Sequence, residues 1–371
     1  MESKKTKRFL NIGYGIEVIN GRLSGSAKDV EKSDSDNTTF VKKINGKGML
    51  STVSTKWNMK QFMEEVDGLE QSKKVMQPGE NGNKSRIICD PNPAKFANDD
   101  IFGFMMAIKK DSITEEDYNA LDESLKSLYQ TKGKGKTLKY EKIGSGTMKR
   151  KSRFQMSPVV AVGTERVNKE WCVSKDEAGK NLPLTIETYA GVSYGIANLN
   201  LDEVGKFVIS DEDLEFRDYS KVAAENLGIK ELKNDEKFTR INSALRALEY
   251  LAIKGNQNNY LTDTKPKFVI LGEYSWGNNV FQGLLNKDGI DVEMLRQTLE
   301  KNEEFRVSKV FIGIDRFNAD TYNKIEEELQ SIIKEFKFVK IDNVHRTFNA
   351  YRGFLANSLD IISKKEENTC K

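Results

Sequence analysis

The sequence predicts an α+β fold of the ferredoxin-like kind, the split βαβ arrangement shared by RNA-recognition domains, carrying insertions and further C-terminal α/β elements. Three observations predict it. Between Phe9 and Tyr274 the hydrophobic pattern runs strand, helix, strand, strand, helix, strand. Hydrophobic residues make up 37% of the 371 residues and charged residues 31%, against roughly 45–50% and 25% in ordinary domains, so a real core carries a large solvated surface. Nineteen Phe and twelve Tyr argue against a disordered chain. Third, the net charge is only +3 but the charge is sorted along the chain. Thr38–Met63 holds Lys42, Lys43, Lys47, Lys56 and Lys60 and no acid. Lys132–Arg153 holds Lys132, Lys134, Lys136, Lys139, Lys142, Lys149, Arg150, Lys151 and Arg153 against Glu141 alone, while Asp211–Glu215 is acidic. Basic runs separated from acidic ones offer themselves to a polyanion.

The elements follow in order. Phe9–Val18 alternates as a first strand, and Ser24–Thr39 is polar and loop-like. Met49–Thr55 leads into a helix of about fourteen residues, capped near Ser54 or Thr55, with Trp57, Phe62, Met63 and Val66 on its apolar face. Lys56 and Lys60, four apart, share one side of that helix. Ser85–Pro93 is turn-rich, Ile101–Ile108 reads as a buried strand, and Glu115–Tyr129 as an amphipathic helix. The basic segment Lys132–Arg153 contains Gly133, Gly135, Gly144 and Gly146, which keep it pliable and let its backbone approach a phosphate. Met156–Val162 is a short strand. Thr164–Leu184, polar in its middle, reads as a hairpin arm in which Trp171 serves as an anchor or as a stacking platform for bases. Thr185–Leu201 is a long strand, and Asp235–Ile253 a helix with Ile241, Leu245, Leu248 and Leu251 inward. Lys254–Tyr260 is an Asn-rich loop and Lys267–Tyr274 the last core strand. A C-terminal series follows: helix Val292–Lys301, strand Phe305–Ile314, helix Thr321–Phe336, strand Lys337–Ile341 and helix Thr347–Ser363, extending the sheet or covering its face. No aromatic-rich RNP1 signature marks the central strands, so backbone tracking by loops is expected rather than base stacking on an open sheet.

Several kinds of chemistry are not expected. His345 is the single histidine, which argues against His-rich zinc sites and Ser-His or Cys-His arrangements. Gly135-Lys136-Thr137 imitates the end of a phosphate-binding P-loop, but Gln130 stands where the first glycine belongs. Asp34 and Asp36 lie in a Ser/Asp/Asn-rich loop, where turn chemistry explains them better than metal ligation does. No catalytic residue, metal or cofactor is expected. Cys89, Cys172 and Cys370 are scattered, pointing to a reducing compartment. No apolar stretch is long enough for a signal peptide or a membrane span, so a cytoplasmic protein is expected.

Four stretches in order resemble one family: Asn92–Met105 (NPAKFANDDIFGFM), Lys151–Val162 (KSRFQMSPVVAV), Glu187–Phe207 (ETYAGVSYGIANLNLDEVGKF) and Lys254–Tyr274, which ends in DTKPKFVILGEY. Together with Val53–Lys60 (VSTKWNMK), they look like the DevR-type backbone subunit of Cascade, the type I CRISPR surveillance complex, closest to its I-B branch. The resemblance implies one RNA-recognition-type palm spanning the chain. It would carry a loop at about 24–48, a basic finger insertion at 110–155, a thumb hairpin at 164–184 and a C-terminal α/β extension at 290–371. It implies copies that polymerise head to tail along the spacer of a crRNA, beside other Cascade subunits, presenting the guide for pairing with target DNA in antiviral defence. RNA-binding residues implied are Lys42, Lys43, Lys47, Ser54, Lys56 and Lys60, with Lys149, Arg150, Lys151 and Arg153 ahead of SPVVAV. The sequence departs from the family at Lys56, where Gln is common, and at Asn58-Met59. Related type III subunits cut RNA with a thumb aspartate, but Asp176, between Lys175 and Glu177, reads as a turn residue. The alternative from another class is an RNA endonuclease on a ferredoxin-like fold, guide-processing or target-cleaving. Such enzymes usually pair a histidine with a Gly-rich loop, and His345 is far in sequence from Gly144–Gly146. A stand-alone RNA chaperone binding as a monomer is the third reading.

Overall fold

The structure is a computed structural model describing residues 7–23, 38–77, 86–89, 91–107, 112–120, 129–132, 135, 138–142, 147–163, 166–175, 177–213, 215–254 and 261–361. The polar stretch 24–37 with Asp34 and Asp36, residues 121–128, Gly133, Gly144, Gly146, Asp176 and the Asn-rich loop 255–260 lie outside them. The chain divides into two compact units. The first comprises Met1–Gly68, Phe154–Asp202 and Phe238–Lys371; the second comprises Leu69–Arg153 and Glu203–Lys237.

The first unit is built on a mixed sheet of eleven strands among the described residues. Its middle runs Pro266–Tyr274, Phe9–Gly21, Asn181–Asn200, Val159–Ala161, all antiparallel. Numbered by chain order these four strands stand 4-1-3-2. Helix Thr52–Glu65 falls between the first and second, and helix Asn234–Glu249 between the third and fourth. The two helices meet: Ser243 Oγ donates to Asp67 at 2.6 Å, and the Phe62 and Tyr250 rings stack at 5.9 Å. Ile241, Leu245, Leu248 and Leu251 are buried, as their spacing predicts.

Adjacent strands leave room for each other's tyrosines. Tyr14 lies against Gly195, and Tyr194 reaches over Gly13 to donate its hydroxyl to the Phe281 carbonyl at 2.6 Å. A Cβ on Gly13 would stand 2.0 Å from the Tyr194 oxygen, so only glycine fits there. Burial pushes the hydroxyl pKa of both tyrosines above the ordinary value.

The C-terminal quarter both extends the sheet and covers it. Arg306–Ile314 pairs antiparallel with Pro266–Tyr274, and Val339–Asp342 joins it in parallel. Helix Val344–Ser358 packs on the helix side: Thr347 Oγ1 donates to the Ile312 carbonyl at 3.0 Å, and Tyr351 donates to the buried Glu273 at 2.8 Å. The opposite face holds the apolar cluster of Tyr194, Phe268, Ile270, Val310 and Ile312 under Phe281, Leu295, Leu299, Phe317 and Ile332. Glu17 pins this cover by accepting the Asn318 and Ala319 amides at 2.8 and 2.9 Å. The face on which open-sheet RNA readers stack bases is thus filled over these strands by the protein's own side chains.

The second unit contains the two-stranded sheet Phe104–Ala107 with Thr147–Arg150, and the hairpins Lys74–Gln77 with Arg86–Cys89 and Tyr129–Lys132 with Lys139–Lys142. Here several expectations are corrected. Ile101 and Phe102 close the helix Ala97–Phe102, and among the described residues of the expected strand Ile101–Ile108 it is Phe104–Ala107 that is extended. The helix from Glu115 ends at Asn119, and Tyr129 opens a strand. In the basic segment after Lys132 the described residues form the paired strands Lys139–Lys142 and Thr147–Arg150, while Gly135, Leu138 and Lys151–Arg153 lie outside strands. In the first unit, Thr321–Phe336 is broken into a 3₁₀ turn and two short helices instead of one helix. Among the described residues no helix is long and apolar enough to cross a membrane.

Candidate nucleic-acid interface

The first basic run is organised by a tight hairpin. Lys43–Ile44 pairs with Lys47–Leu50 around Asn45-Gly46, whose φ angles of 50° and 78° are those of the two-residue turn that Asn-Gly favours. Leu50 and Met49 pair in turn with Val159 and Val160, so the hairpin prolongs the sheet at one edge. Lys42, Lys43 and Lys47 are all exposed. No acid pairs with Lys42 or Lys47 among the described residues, whereas Lys43 Nζ is 3.3 Å from Glu187. Glu187 is buried, also accepts the Val41 amide at 3.3 Å, and lies 3.9 Å from Lys169. It ties the hairpin to the long strand and offsets part of its charge.

The strand Lys47–Leu50 passes into the helix through Ser51, not Ser54 or Thr55. Ser51 Oγ accepts the Ser54 amide at 3.3 Å, and the helix begins at Thr52. The buried stripe is Thr55, Asn58, Met59 and Met63. Trp57 is 51% exposed and Val66 56%, correcting the expected apolar face. Two residues from Thr55 and from Met59, Trp57 is turned about 200° away from them. Lys56 and Lys60 are half-buried, and burial lowers the Lys56 pKa. Ser54 is half-buried, and its carbonyl accepts from Asn58 Nδ2 at 2.8 Å.

The second basic run belongs to the second unit, and there the structure reassigns most of it. Arg150 does not face solvent. Its side chain is 1% exposed, and its guanidinium pairs with Asp100 and Asp218 and donates to the Lys206 carbonyl at 3.0 Å. Asp100 also accepts the Gly205 amide at 3.0 Å, and Asp218 the Val208 amide at 2.8 Å. Burial raises the Asp218 pKa against the pull of Arg150. Asp99 accepts from Ser72 Oγ at 2.6 Å and from the Asn92 amide at 3.0 Å. The stretch NPAKFANDDIFGFM is therefore a structural hub: its acids hold the unit together. Lys149 pairs with Glu215. Arg153 is half-buried, 3.5 Å from Glu203, its pKa lowered by burial. Lys151 remains exposed, 5.8 Å over the Phe216 ring.

The expected hairpin arm is present. Arg166–Lys175 pairs with the long strand from Arg166↔Ala190 to Lys175↔Asn181. Trp171 is 70% exposed and Val173 39%, so Trp171 does not anchor the arm. His345 Nδ1 lies 2.6 Å from the buried Glu249, which also accepts from Arg352 at 2.6 Å. Glu187 was missed from sequence, although an acid among the Thr, Tyr, Val and Gly of a core strand is a signal worth following.

No protein-family model matches the chain, and no curated protein does. Among solved structures, a chain described as "CRISPR RNA-guided surveillance complex, pre-nicking" superposes with a TM-score of 0.52 at 11% identity, covering 95% of this chain and 99% of that one. Another, "CRISPR RNA-guided surveillance complex", gives a TM-score of 0.44 at 14% identity, covering 88% and 99%. The first match shows that the large mixed sheet with its attached elements is a fold found in such a complex.

Proposed function

We propose that the protein is a guide-RNA-binding backbone subunit of a CRISPR surveillance complex. It would multimerise head to tail along the crRNA spacer in the cytoplasm and present the guide to target DNA, without an active site of its own. The observation that carries this reading is the strand order 4-1-3-2 with its two helices on one face. We read that order as a ferredoxin-like palm, with Arg166–Lys175 and its partner strand as thumb. The fold likeness over 95% of the chain supports it, as do the four sequence stretches of the DevR-type, I-B-like pattern. In this reading Lys42 and Lys47 hold phosphates, with help from Lys56, Lys60 and Lys151, while base pairing reads sequence.

The test is an electrophoretic shift with end-labelled single-stranded RNA of guide length. A shifted and intact RNA is the expected result. Shortened products would favour the endonuclease reading, and no shift would remove RNA binding altogether.

A further inference from the structure

The loop leaving the strand Pro266–Tyr274 folds back over the sheet face opposite the helices. Asn279 Nδ2 donates to the carbonyls of Ile12 and Ala197, at 3.1 and 2.6 Å, and its Oδ1 accepts the Phe281 amide at 2.9 Å. Asn11 Oδ1 accepts the Val280 amide at 3.2 Å. These two side chains are spent on fixing the loop. Beside them lies a cavity of about 280 Å³, lined by Gln155, Ser157, Ile196, Asn198, Gly277 and Asn278 among others. It adjoins the apolar cover, against which Ile196 packs.

The lining has a definite chemistry. Gln155 and Asn198 stand directly opposite on antiparallel strands, so their carboxamides share one face. Asn198 is 7% exposed, and its Nδ2 has no hydrogen-bond partner among the described residues. A buried donor without an acceptor is costly, and a ligand acceptor would relieve it. Gln155 is exposed, as is Asn278. Trp276, next in the chain to Gly277, is 64% exposed. Among the described residues no ionised side chain lines the cavity, which disfavours a phosphate, a carboxylate or a metal ion as occupant. Its volume falls just under the roughly 300–1,000 Å³ of drug-sized ligand sites, which suits one planar ring system. Paired carboxamides offer a donor and an acceptor to a base edge.

We propose that this cavity is a nucleobase site: one unpaired base enters it, its edge held by the amides of Gln155 and Asn198. The inference rests on the RNA-binding reading and adds to it a single contact that reads base identity. The base comes from a bound strand or from a free nucleoside, and the two sources are separable.

The experiment uses the full chain, titrated with A, C, G and U homopolymers of equal length and with an abasic strand, as wild type and as Gln155→Ala. Gln155 is exposed, so this variant tests the site with little risk to folding; Asn198→Leu serves as the second variant. The expected result is that wild type ranks the four homopolymers over about tenfold, within what a bidentate amide contact discriminates. Both variants should compress that ranking to about twofold, leaving the abasic affinity and the salt dependence unchanged. Quenching of Trp276 by nucleosides, followed with Trp57 and Trp171 replaced by Phe, assigns a free-nucleoside source. Quenching by strands alone assigns the bound RNA. An identical ranking in wild type and both variants overturns the proposal, and would leave the cavity to a partner protein's backbone. If RNA still binds with its normal salt dependence, only the base site falls. If no RNA binds, the proposed function falls with it.

Discussion

Replacing Lys42 and Lys47 together by alanine should flatten the salt dependence of RNA binding by a calculable amount. Both side chains are exposed, and neither faces an acid among the described residues. Each phosphate contact on a single strand contributes about 0.7 to the slope of log K against log salt. The double variant should therefore lose about 1.4 from the slope, so that over a fourfold change in salt its affinity changes about sevenfold less than wild type's. Lys43 is different. Its ammonium stands 3.3 Å from the buried Glu187, so part of its charge is already answered and fewer counterions are released when RNA binds. Lys43→Ala should flatten the slope by clearly less than 0.7. Glu187→Gln keeps an acceptor for the Val41 amide but removes the charge facing Lys43 and Lys169, and should steepen the slope. The assay is fluorescence anisotropy of a labelled single-stranded RNA, titrated between about 50 and 200 mM salt. If Lys43→Ala flattens the slope as much as the Lys42/Lys47 double variant does, the reasoning from Glu187 is wrong. If the double variant alters preference among RNA sequences, the lysines are not tracking the backbone.

Other expectations follow from the same geometry. Arg150→Met leaves two carboxylates, Asp100 and Asp218, buried together and should cost about 3–5 kcal/mol in urea unfolding. Adding Asp100→Asn and Asp218→Asn should recover part of that loss; a cost near zero would contradict the buried triad. Burial lowers the Lys56 pKa, so its charge is present below that value and is lost earlier than an ordinary lysine's as pH rises. RNA affinity of the wild type should therefore decline at lower pH than that of Lys56→Arg, and superimposable pH profiles would remove Lys56 from the interface. Gly13→Ala drives a methyl into the Tyr194 hydroxyl and should destabilise by about 1–3 kcal/mol in thermal melts. With Tyr194→Phe the two changes should be less than additive, because the clashing atom is gone.

Long central strands were legible. Phe9–Val18, read from its alternation, and Lys267–Tyr274, read as the last core strand, fall within the observed strands Phe9–Gly21 and Pro266–Tyr274, and the helix read at Asp235–Ile253 is observed at Asn234–Glu249 with its leucines inward. Helix Val292–Lys301 was bounded correctly, with Asp291 capping it. Short apolar runs were not legible. Ile101–Phe102 end a helix whose first turn carries the buried Asp99 and Asp100, a pattern that periodicity does not distinguish from a strand. The lysine hairpin was visible as charge, and Asn45-Gly46 carried its turn signal. Arg150 was misread because its partners stand 50 and 68 residues away in sequence. A basic run tells nothing about which of its members meets a distant acid. Glu187 shows the converse, a single acid that selects among three neighbouring lysines which one is least available.

The central claim is that copies of this chain line up along one RNA. Native mass spectrometry of the protein mixed with single-stranded RNAs of increasing length tests it most directly. The account predicts that the number of bound copies rises stepwise with each fixed increment of RNA, with every RNA recovered intact. One copy per RNA whatever its length would contradict it.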